Sequence, residues 1–316
     1  MPEITIREYK QGDEYGIVQL FKDIFGREMT LDEWHWKYRG QGNEKVYSFV
    51  IADENGQVVG HYGGIPLRMT FHDKDIIGLA TCDVMIHPEY RGIWVLKKLH
   101  HHFVDTHVKN GVSMFYGFPT EKTLLLPAEK KGLYERIETV LEASKELAFH
   151  NDPERFIYKL ISLEFDDYRI DELWSSVRKH FPLSIIRDRA YFQWRYKQHS
   201  LFSYEIWGLT KRWGNNLLGL AIFKKDESEN ILLMDMVFNV KSFMPLLKKI
   251  ENLASRLGKK RLILWLPQRM HPELKKHGFV FKPAGATLPR STHPATLKAE
   301  EVRSHFYYTC GDTDFL

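Results

Sequence analysis

The chain has 316 residues and a net charge of +4, with 43% hydrophobic and 14% aromatic residues. That composition is typical of a folded globular protein, and the length predicts two or three domains of about 100 to 200 residues each. The longest apolar runs fall far short of the roughly 20 residues that a membrane-spanning helix needs, so we expect no membrane partner. The small excess of positive charge does not indicate a nucleic-acid partner, and an anionic small molecule fits it equally well.

The N-terminus and the cysteines bear on the cellular compartment. Residues 1–8 enter an alternating strand pattern at once, without a basic start or an apolar signal core, so we expect a cytoplasmic protein. Cys82 and Cys310 lie 228 positions apart, a spacing that gives neither a metal motif nor a disulfide framework. We expect both to be buried thiols.

Hydrophobic periodicity predicts alternating strands and helices in the first half of the chain. Asn55-Gly56 stands between two strand patterns and predicts a tight turn that joins an antiparallel pair. The Asn110-Gly111 stop after a long amphipathic helix predicts a crossover to a parallel strand, so the sheet should be mixed. The predicted elements are strand 3–8, helix 13–25, a short helix 30–38, strands 46–53, 57–71 and 75–86, helix 93–109, strand 112–118, helix 120–131 and strands near 133–149.

A repeat of the first half of the sequence in the second half predicts two domains of one fold. Four landmarks recur at offsets of 156 to 159 residues, and two later ones recur at 152 and 148, as short loop deletions would cause. We therefore expect domains at residues 1–150 and 160–316, joined by the charged stretch 150–155. The alternative is that any two α/β segments look alike at this level. The matched landmarks are Ile4 with Ile161, Ile17 with Leu173, Trp36 with Trp194, Val59 with Leu218, Asp83 with Asp235, and Gly117 with Trp265.

The segment Asp83–Gly92 carries the strongest functional signal in the sequence. It reads Asp-Val-Met-Ile-His-Pro-Glu-Tyr-Arg-Gly and leads from a predicted strand, through a turn, into an amphipathic helix. A strand that opens directly into the start of a helix presents unpaired main-chain N–H groups and the positive end of the helix dipole. Such a helix start is a ready site for a pyrophosphate.

This segment resembles the signature of the GNAT superfamily of acyl-CoA-dependent N-acyltransferases. Residues Phe115–Thr120 are similar to the family's step from the next strand into a helix, and Lys131–Tyr134 is similar to its closing turn. The resemblance covers most of residues 1–150. It implies an α/β (α+β) fold of two tandem GNAT-like domains, each with a mixed, mostly antiparallel sheet flanked by helices.

The resemblance also implies acetyl-CoA or another acyl-CoA as co-substrate, and no metal. The main chain of Met85 and Ile86 would lie beside the pantetheine arm, and Thr120 would contribute from the step after the next strand. The pyrophosphate would be bound by the phosphate loop, which consists of Arg91, Gly92, Ile93, Trp94, Val95 and Leu96.

Two positions of this loop depart from the family pattern. At the third and fifth positions beyond Arg91 the family has glycine and then glycine or alanine, whereas this chain has Trp94 and Leu96. If the loop requires a positive φ at Trp94, a residue other than glycine costs about 1–3 kcal/mol and weakens cofactor binding. The alternative is that Trp94 and Leu96 pack inward and the cofactor pocket has been lost, which would leave a non-enzymatic binding or scaffold protein.

The second copy lacks the phosphate-binding signature. Residues 239–245 stand in place of the His-Pro-Glu-Tyr-Arg-Gly turn and contain no glycine. We expect this degenerate copy to support the first domain and to shape the acceptor site. The chain in this respect resembles tandem GNAT proteins in which one half keeps the cofactor site.

Catalysis, as the resemblance implies, is direct attack of an amine on the thioester, aided by a base and an acid. Asp83 is the candidate base, and the alternative of a structural aspartate is favoured by Asp235 at the equivalent place in the second copy. The family's usual acid is a tyrosine at a position that holds Ala128 here. Tyr134 and Tyr116 are therefore the candidate acids, although each is also a typical core aromatic residue.

The expected function is N-acyltransfer, with acetyl as the expected acyl group, to a primary amine of unknown identity. The aromatic residues of the short helix 30–38 are candidates for an acceptor pocket, but their recurrence in the second copy favours a packing role. His100–His102 do not predict a metal site, because successive helical side chains point about 100° apart. The sequence leaves the oligomeric state open.

Overall fold

The computed structural model describes residues 3–40, 45–120, 125–148, 156–225 and 227–313. The protein has a mixed α/β fold of mostly antiparallel strands flanked by helices, which confirms the predicted fold class. The chain divides into two compact units. The first unit contains Met1–Met69, Asp75–Thr139 and Gly285–Arg303, and the second contains Thr70–Lys74, Val140–Ala284 and Ser304–Leu316. The predicted linker at 150–155 lies outside the described residues.

The helices and strands of the first half follow the predicted order closely. The helix predicted at 93–109 has these bounds in the structure, and the strand predicted at 112–118 ends earlier, at Tyr116. The elements are β1 (Ile4–Glu8), α1 (Asp13–Phe25), α2 (Leu31–Arg39), β2 (Tyr47–Asp53), β3 (Val58–Phe71), β4 (Lys74–Ile86), α3 (Ile93–Lys109), β5 (Val112–Tyr116), α4 (Leu125–Lys130) and β6 (Tyr134–Glu146).

The sheet of the first unit has the strand order β1-β2-β3-β4-β5. β1 and β2 are antiparallel, as are β2 and β3, whereas β4 and β5 are parallel, as predicted from the crossover through α3. The turn between β2 and β3 contains Gly56 at a φ of 81°, and the Asp53 carboxylate accepts the N–H groups of Asn55 and Gln57 at 2.9 Å. The Asn-Gly signal therefore located an antiparallel hairpin correctly.

The core of the first unit lies between α3 and the sheet. Leu99 and Phe103 of α3 are fully buried, and the Phe103 ring packs on those of Phe49 and Phe115 from the sheet. Buried residues one turn apart form the inner face of this helix, and this periodic pattern made the helix predictable from the sequence. The helix ends at Asn110, and Gly111 follows at a φ of 88°, a conformation that glycine adopts at little cost.

The second half of the chain also consists of alternating strands and helices. The elements are β7 (Tyr158–Leu163), α5 (Arg169–Val177), β8 (Leu183–Ile185), α6 (Arg189–Phe192), β9 (Ser203–Lys211), β10 (Leu217–Lys225), β11 (Asn230–Phe238), α7 (Phe243–Arg256), β12 (Arg261–Trp265), α8 (His271–Lys276), β13 (Val280–Ser291) and α9 (Ala299–His305).

The second unit has the same strand arrangement as the first. Its order is β7-β9-β10-β11-β12, with antiparallel pairs throughout except for the parallel pair β11 and β12. The helix α7 before β12 buries Leu246, Leu247 and Ile250 completely. In both units the first two pairings are antiparallel and the fourth pairing is parallel.

Each unit is completed by a strand from the other half of the sequence, which we call its completing strand. In the first unit, residues 285–291 of β13 lie antiparallel to β5, with Arg290 opposite Tyr116. In the second unit, residues 140–146 of β6 lie antiparallel to β12, with Glu146 opposite Arg261. The compact units therefore divide the chain differently from the predicted boundaries 1–150 and 160–316, which stay a prediction about the two copies of the fold.

Candidate active site

The candidate site of the first unit begins with a single left-handed residue inside β4, Asp83, and we call this change of direction the Asp83 turn. Asp83 has a φ of 48°, and His72 is the other non-glycine residue with positive φ in the described part of the chain. Residues with a Cβ adopt this region at a cost of about 1–3 kcal/mol unless their surroundings hold them there. The contacts of Asp83 must therefore offset this cost.

The Asp83 side chain is buried in an ion pair. Its two carboxylate oxygens each lie 2.9 Å from Lys37 Nζ, and the Tyr38 hydroxyl donates to Oδ2 at 2.6 Å. The side chains of Lys37 and Asp83 are only 5% and 6% exposed. Burial alone would raise the pKa of Asp83, but the Lys37 charge and the Tyr38 hydroxyl hold it below its usual value.

The Asp83 main chain is held by a histidine of β3. His61 Nδ1 lies 2.8 Å from the Asp83 carbonyl oxygen, which can only accept, so this nitrogen carries the proton. His61 Nε2 is then the acceptor for the Ser48 hydroxyl. Burial lowers the pKa of His61 to about 4, which keeps the ring neutral at physiological pH.

The strands β4 and β5 part just before this turn. Their parallel pairing runs from Ile77 opposite Val112 to Ala80 opposite Tyr116. One residue later, the Thr81 hydroxyl donates to the Tyr116 carbonyl at 2.9 Å. The main chain of Met85 and Ile86 lies beyond the paired region, which is where the resemblance places the pantetheine arm.

The turn from β4 into α3 presents the start of a long helix to solvent. The first main-chain bond of α3 joins the Leu96 N–H to the Gly92 carbonyl at 3.0 Å, and among the described residues no side chain caps this helix start. Arg91 is exposed and donates from Nε to the Ile86 carbonyl at 2.9 Å. The amides of Ile93, Trp94 and Val95 precede the first helical bond, so they are available to an anion.

The conformation of Trp94 differs from both expectations stated for it. It lies within α3 and does not have a positive φ, so the strain considered for a non-glycine residue there does not arise. Its side chain is 58% exposed and carries Lys98 Nζ over the ring at 5.1 Å, so it does not pack inward. Leu96, at 4% exposed, does pack inward.

The candidate acids are both enclosed in the first unit. Tyr116 is fully buried on β5, and Tyr134 packs edge-on against His100 at a ring separation of 4.9 Å. Burial raises the pKa of Tyr134. Thr120 is exposed, and its main chain pairs with that of Ala286 from the completing strand. These contacts do not test a catalytic or cofactor role, so those roles stay predictions.

Sequence reasoning missed Lys37 and His61, which contact Asp83, and Ser48, which contacts His61. A signal was present for one of them. Lys37 and Arg195 occupy the same place in the repeat, each between two aromatic residues. A cation at a position flanked by core aromatics needs a counter-charge or an acceptor, since an unpaired buried charge is very costly.

The second unit contains an equivalent Tyr–Asp contact, but a different cation binds the aspartate. The Tyr196 hydroxyl donates to Asp235 Oδ2 at 3.0 Å, as Tyr38 does to Asp83. The cation on Asp235 is Arg187, whose Nε lies 2.8 Å from Oδ1. Arg187 Nη2 also donates to Asp312 at 2.6 Å, and all three side chains are fully buried.

Several of the other aromatic and histidine side chains that the sequence analysis discussed are buried. Trp34 is buried on α2 beside Tyr38, and His100 is buried beside the Tyr62 hydroxyl. Within the described ranges, no cluster of three or more His, Cys, Asp or Glu side chains could hold a metal ion. Within the same ranges, no helix is both long enough and apolar enough to cross a membrane.

One protein family matches the sequence of the first unit. Residues 5–127 match the family Acetyltransferase (GNAT) domain, and these residues include the Asp83 turn and all of α3. No curated protein matches the sequence.

Solved structures share the fold over nearly the whole chain. A probable N-acyltransferase of unknown function from Enterococcus faecalis superposes with a TM-score of 0.69 at 12% identity, covering 91% of this chain and 72% of the other. A GCN5-related N-acetyltransferase from Anabaena variabilis gives 0.67 at 14% identity, with coverages of 91% and 72%. A GCN5-related N-acetyltransferase from Kribbella flavida gives 0.65 at 12% identity, with coverages of 92% and 70%.

Taken with the geometry, these findings show the fold of the protein. The protein shares the fold of these solved structures, and the match to the GNAT acetyltransferase domain covers most of the first unit.

Proposed function

We propose that the first unit binds an acyl-CoA, with acetyl-CoA as the expected form, and transfers the acyl group to a primary amine. The observation that carries this proposal is the turn from β4 into α3. It leaves the amides of Ile93, Trp94 and Val95 uncapped at the positive end of a 17-residue helix, directly beyond the point where β4 and β5 part.

The residues of the site fit the groups of coenzyme A in two places. The uncapped amides, with Arg91 exposed beside them, suit the pyrophosphate. The main chain of Met85 and Ile86 lies beyond the part of β4 that pairs with β5, and we expect main-chain groups on this side of β4 to meet the amides of a pantetheine arm. The acyl-CoA supplies the activated thioester, and this chain supplies its binding and orientation.

We also infer that the two units are copies of one fold, of which only the first keeps the cofactor site. The same strand order, the same parallel pair and the equivalent contacts Tyr38–Asp83 and Tyr196–Asp235 support this inference. The turn before α7 has no glycine, and Asn239 caps it by accepting the Lys241 N–H at 3.1 Å. A capped turn leaves less room for an anion.

A second candidate function is a binding protein that has lost catalysis. It is favoured by Ala128, which is 4% exposed and packed in the core where the resemblance expects the acid. In that case coenzyme A would still bind, and no thiol would be released from acetyl-CoA in the presence of any amine.

A proline substitution offers a sharp test of the phosphate site. Ile93 is the first residue of α3, where proline is tolerated because its φ is already helical, and Gly92 before it is extended at a φ of −177° and ψ of 147°. Ile93→Pro therefore removes one amide N–H with little cost to the helix. Ile93→Ala is the matched control, because it shortens the same side chain and keeps the N–H.

Titration calorimetry against acetyl-CoA reads out both variants. A charge-assisted hydrogen bond is worth about 1.5–3 kcal/mol, so Ile93→Pro should weaken binding at least about tenfold, while Ile93→Ala binds nearly as well as the natural protein. No binding by the natural protein at millimolar acetyl-CoA would refute the proposed function. Binding without thiol release across a panel of amines would favour the second candidate.

A further inference from the structure

Asp83 has a left-handed main chain, and both oxygens of its side chain accept hydrogen bonds. Its φ of 48° is in the region that glycine, asparagine and aspartate tolerate best, and that other residues adopt only when held. The turn lies two residues before Met85, the first residue whose main chain the proposed function places beside the pantetheine arm. The conformation of Asp83 therefore sets the course of that main chain.

The groups that hold the turn approach Asp83 from two different elements. Lys37 and Tyr38 of α2 bind the carboxylate, and His61 of β3 donates to the carbonyl oxygen. Because side chain and carbonyl are both fixed, the residue cannot relax to an extended conformation without breaking at least one of these contacts. A strained residue that its surroundings over-determine in this way is typical of functional sites.

The same contacts make Asp83 poorly suited to proton transfer. A general base works best when its pKa lies near the operating pH and when it can reach the proton it removes. Both carboxylate oxygens of Asp83 already accept from Lys37, and Oδ2 accepts from Tyr38 as well. The ion pair holds the pKa of Asp83 below its usual value, which is the opposite of the shift that a base requires.

We propose that Asp83 is a positioning residue: the lock formed by Lys37, Tyr38 and His61 fixes the left-handed turn, and the turn aims the main chain of residues 84–86 at the acyl-CoA. This inference rests on the proposed function. It replaces proton transfer by Asp83 with orientation of the strand that borders the thioester.

The second unit has the Tyr–Asp contact of the first unit but not the other contacts of the lock. Asp235 accepts from Tyr196 as Asp83 accepts from Tyr38, yet Asp235 is not among the described residues with positive φ. Its cation is Arg187, outside the helix that carries the tyrosine. The register of β10 and β11 shifts beside Asp235, yet the residue does not become left-handed there. A Tyr–Asp contact therefore occurs without a left-handed residue, and the Lys37 ion pair and the His61 contact are what accompany the turn in the first unit.

A pair of matched variants tests the lock. Tyr38→Phe and Tyr196→Phe each remove one hydroxyl that donates to a buried aspartate, so both should lose similar stability. Only Tyr38→Phe loosens the turn. Amide hydrogen exchange of residues 84–86 should speed up in Tyr38→Phe and stay at the natural rate in Tyr196→Phe, and acetyl-CoA binding should weaken only in Tyr38→Phe.

Asp83→Asn distinguishes positioning from base catalysis. Asparagine tolerates the left-handed region and keeps the shape of the side chain but gives Lys37 no counter-charge. The lock predicts acetyl-CoA binding weakened at least about tenfold and an unshifted pH profile of the rate at saturating acetyl-CoA. A base would instead show unchanged affinity and a maximal rate lower by about 10²–10⁴-fold, which would overturn the proposal.

The outcomes separate this inference from the proposed function. If the natural protein does not bind acetyl-CoA, the proposed function is wrong. Hydrogen exchange of residues 84–86 in the two tyrosine variants still tests whether the lock holds the turn. If exchange of residues 84–86 is the same in Tyr38→Phe, Tyr196→Phe and the natural protein, the lock is wrong whether or not acetyl-CoA binds.

Discussion

Arg187 is the residue whose replacement should cost the second unit most stability. Its guanidinium binds Asp235 at 2.8 Å and Asp312 at 2.6 Å, and all three side chains are fully buried. Arg187→Met keeps much of the apolar volume and removes the charge. Two carboxylates then remain in the interior without a cation.

The loss of stability in Arg187→Met depends on the two buried carboxylates that remain without a cation. Removing one partner of a buried ion pair costs about 3–5 kcal/mol, and here one guanidinium serves two acids. Burial raises the pKa of Asp312 to about 6 even with Arg187 opposing it, so in the variant this carboxyl should bind a proton at neutral pH. Protonation limits the loss, and we expect about 3–5 kcal/mol.

The pH dependence of this loss has a definite sign. The folded pKa of Asp312 lies above the unfolded value of about 3.9, so its contribution to stability is complete at low pH and is lost as pH rises through about 6. Arg187→Met raises this pKa further. The variant should therefore lose more stability relative to the natural protein at pH 8 than at pH 5.

Urea unfolding followed by circular dichroism measures the effect, and a thermal scan should show a midpoint lower by about 6–20 °C. Arg261→Met is the matched control, because Arg261 pairs with Glu146 at side-chain exposures of 43% and 68%. An exposed pair of this kind contributes about 0–1 kcal/mol. A loss below about 1 kcal/mol for Arg187→Met would refute the argument that the guanidinium neutralises both acids.

Three further predictions concern the first unit. Truncation after residue 284 removes its completing strand, so acetyl-CoA binding and the unfolding transition of this unit should both disappear in calorimetry; retained binding would contradict the assigned pairing. Leu99→Ala empties a fully buried site and should cost about 2–5 kcal/mol in urea unfolding, whereas a loss under 1 kcal/mol would show a loosely packed core. Burial lowers the pKa of His107 to about 4, below the unfolded value of about 6.5, so stability should fall as pH drops from 6.5 towards 4. Because neither ring nitrogen of His107 has a hydrogen-bond partner among the described residues, His107→Leu should stabilise the protein and flatten this pH dependence; an unchanged slope between pH 6.5 and 4 would contradict the assignment.

The elements of the first half could be predicted because their signals are local. The bounds of α3 follow from an apolar stripe of one residue per turn and from the Asn110-Gly111 stop, both of which lie within a short stretch of sequence. The parallel pairing of β4 with β5 follows from the length of the crossover between them. Neither inference needs information from a distant part of the chain.

The contacts of the candidate site could not be predicted in the same way. The position of Asp83 was recognised, but Lys37 lies 46 residues before it, and no local pattern pairs the two. The completing strands were missed for a related reason. A repeat in the sequence indicates that two copies exist, but hydrophobic alternation is the same whichever copy a final strand joins.

The completing strand of the first unit also affects when its sheet can form during synthesis. Tyr116 of β5 and Arg290 of β13 pair across 174 positions of the chain. At about 5–20 residues per second, β5 waits on the order of 10–35 s on the ribosome before its neighbour emerges. Until then β5 is an open edge with unpaired main-chain groups, the kind of edge along which nascent chains associate. The sheet of the first unit should therefore be completed only after β13 has been synthesised, and chaperones that cover strand edges should raise the yield of protein able to bind its ligand.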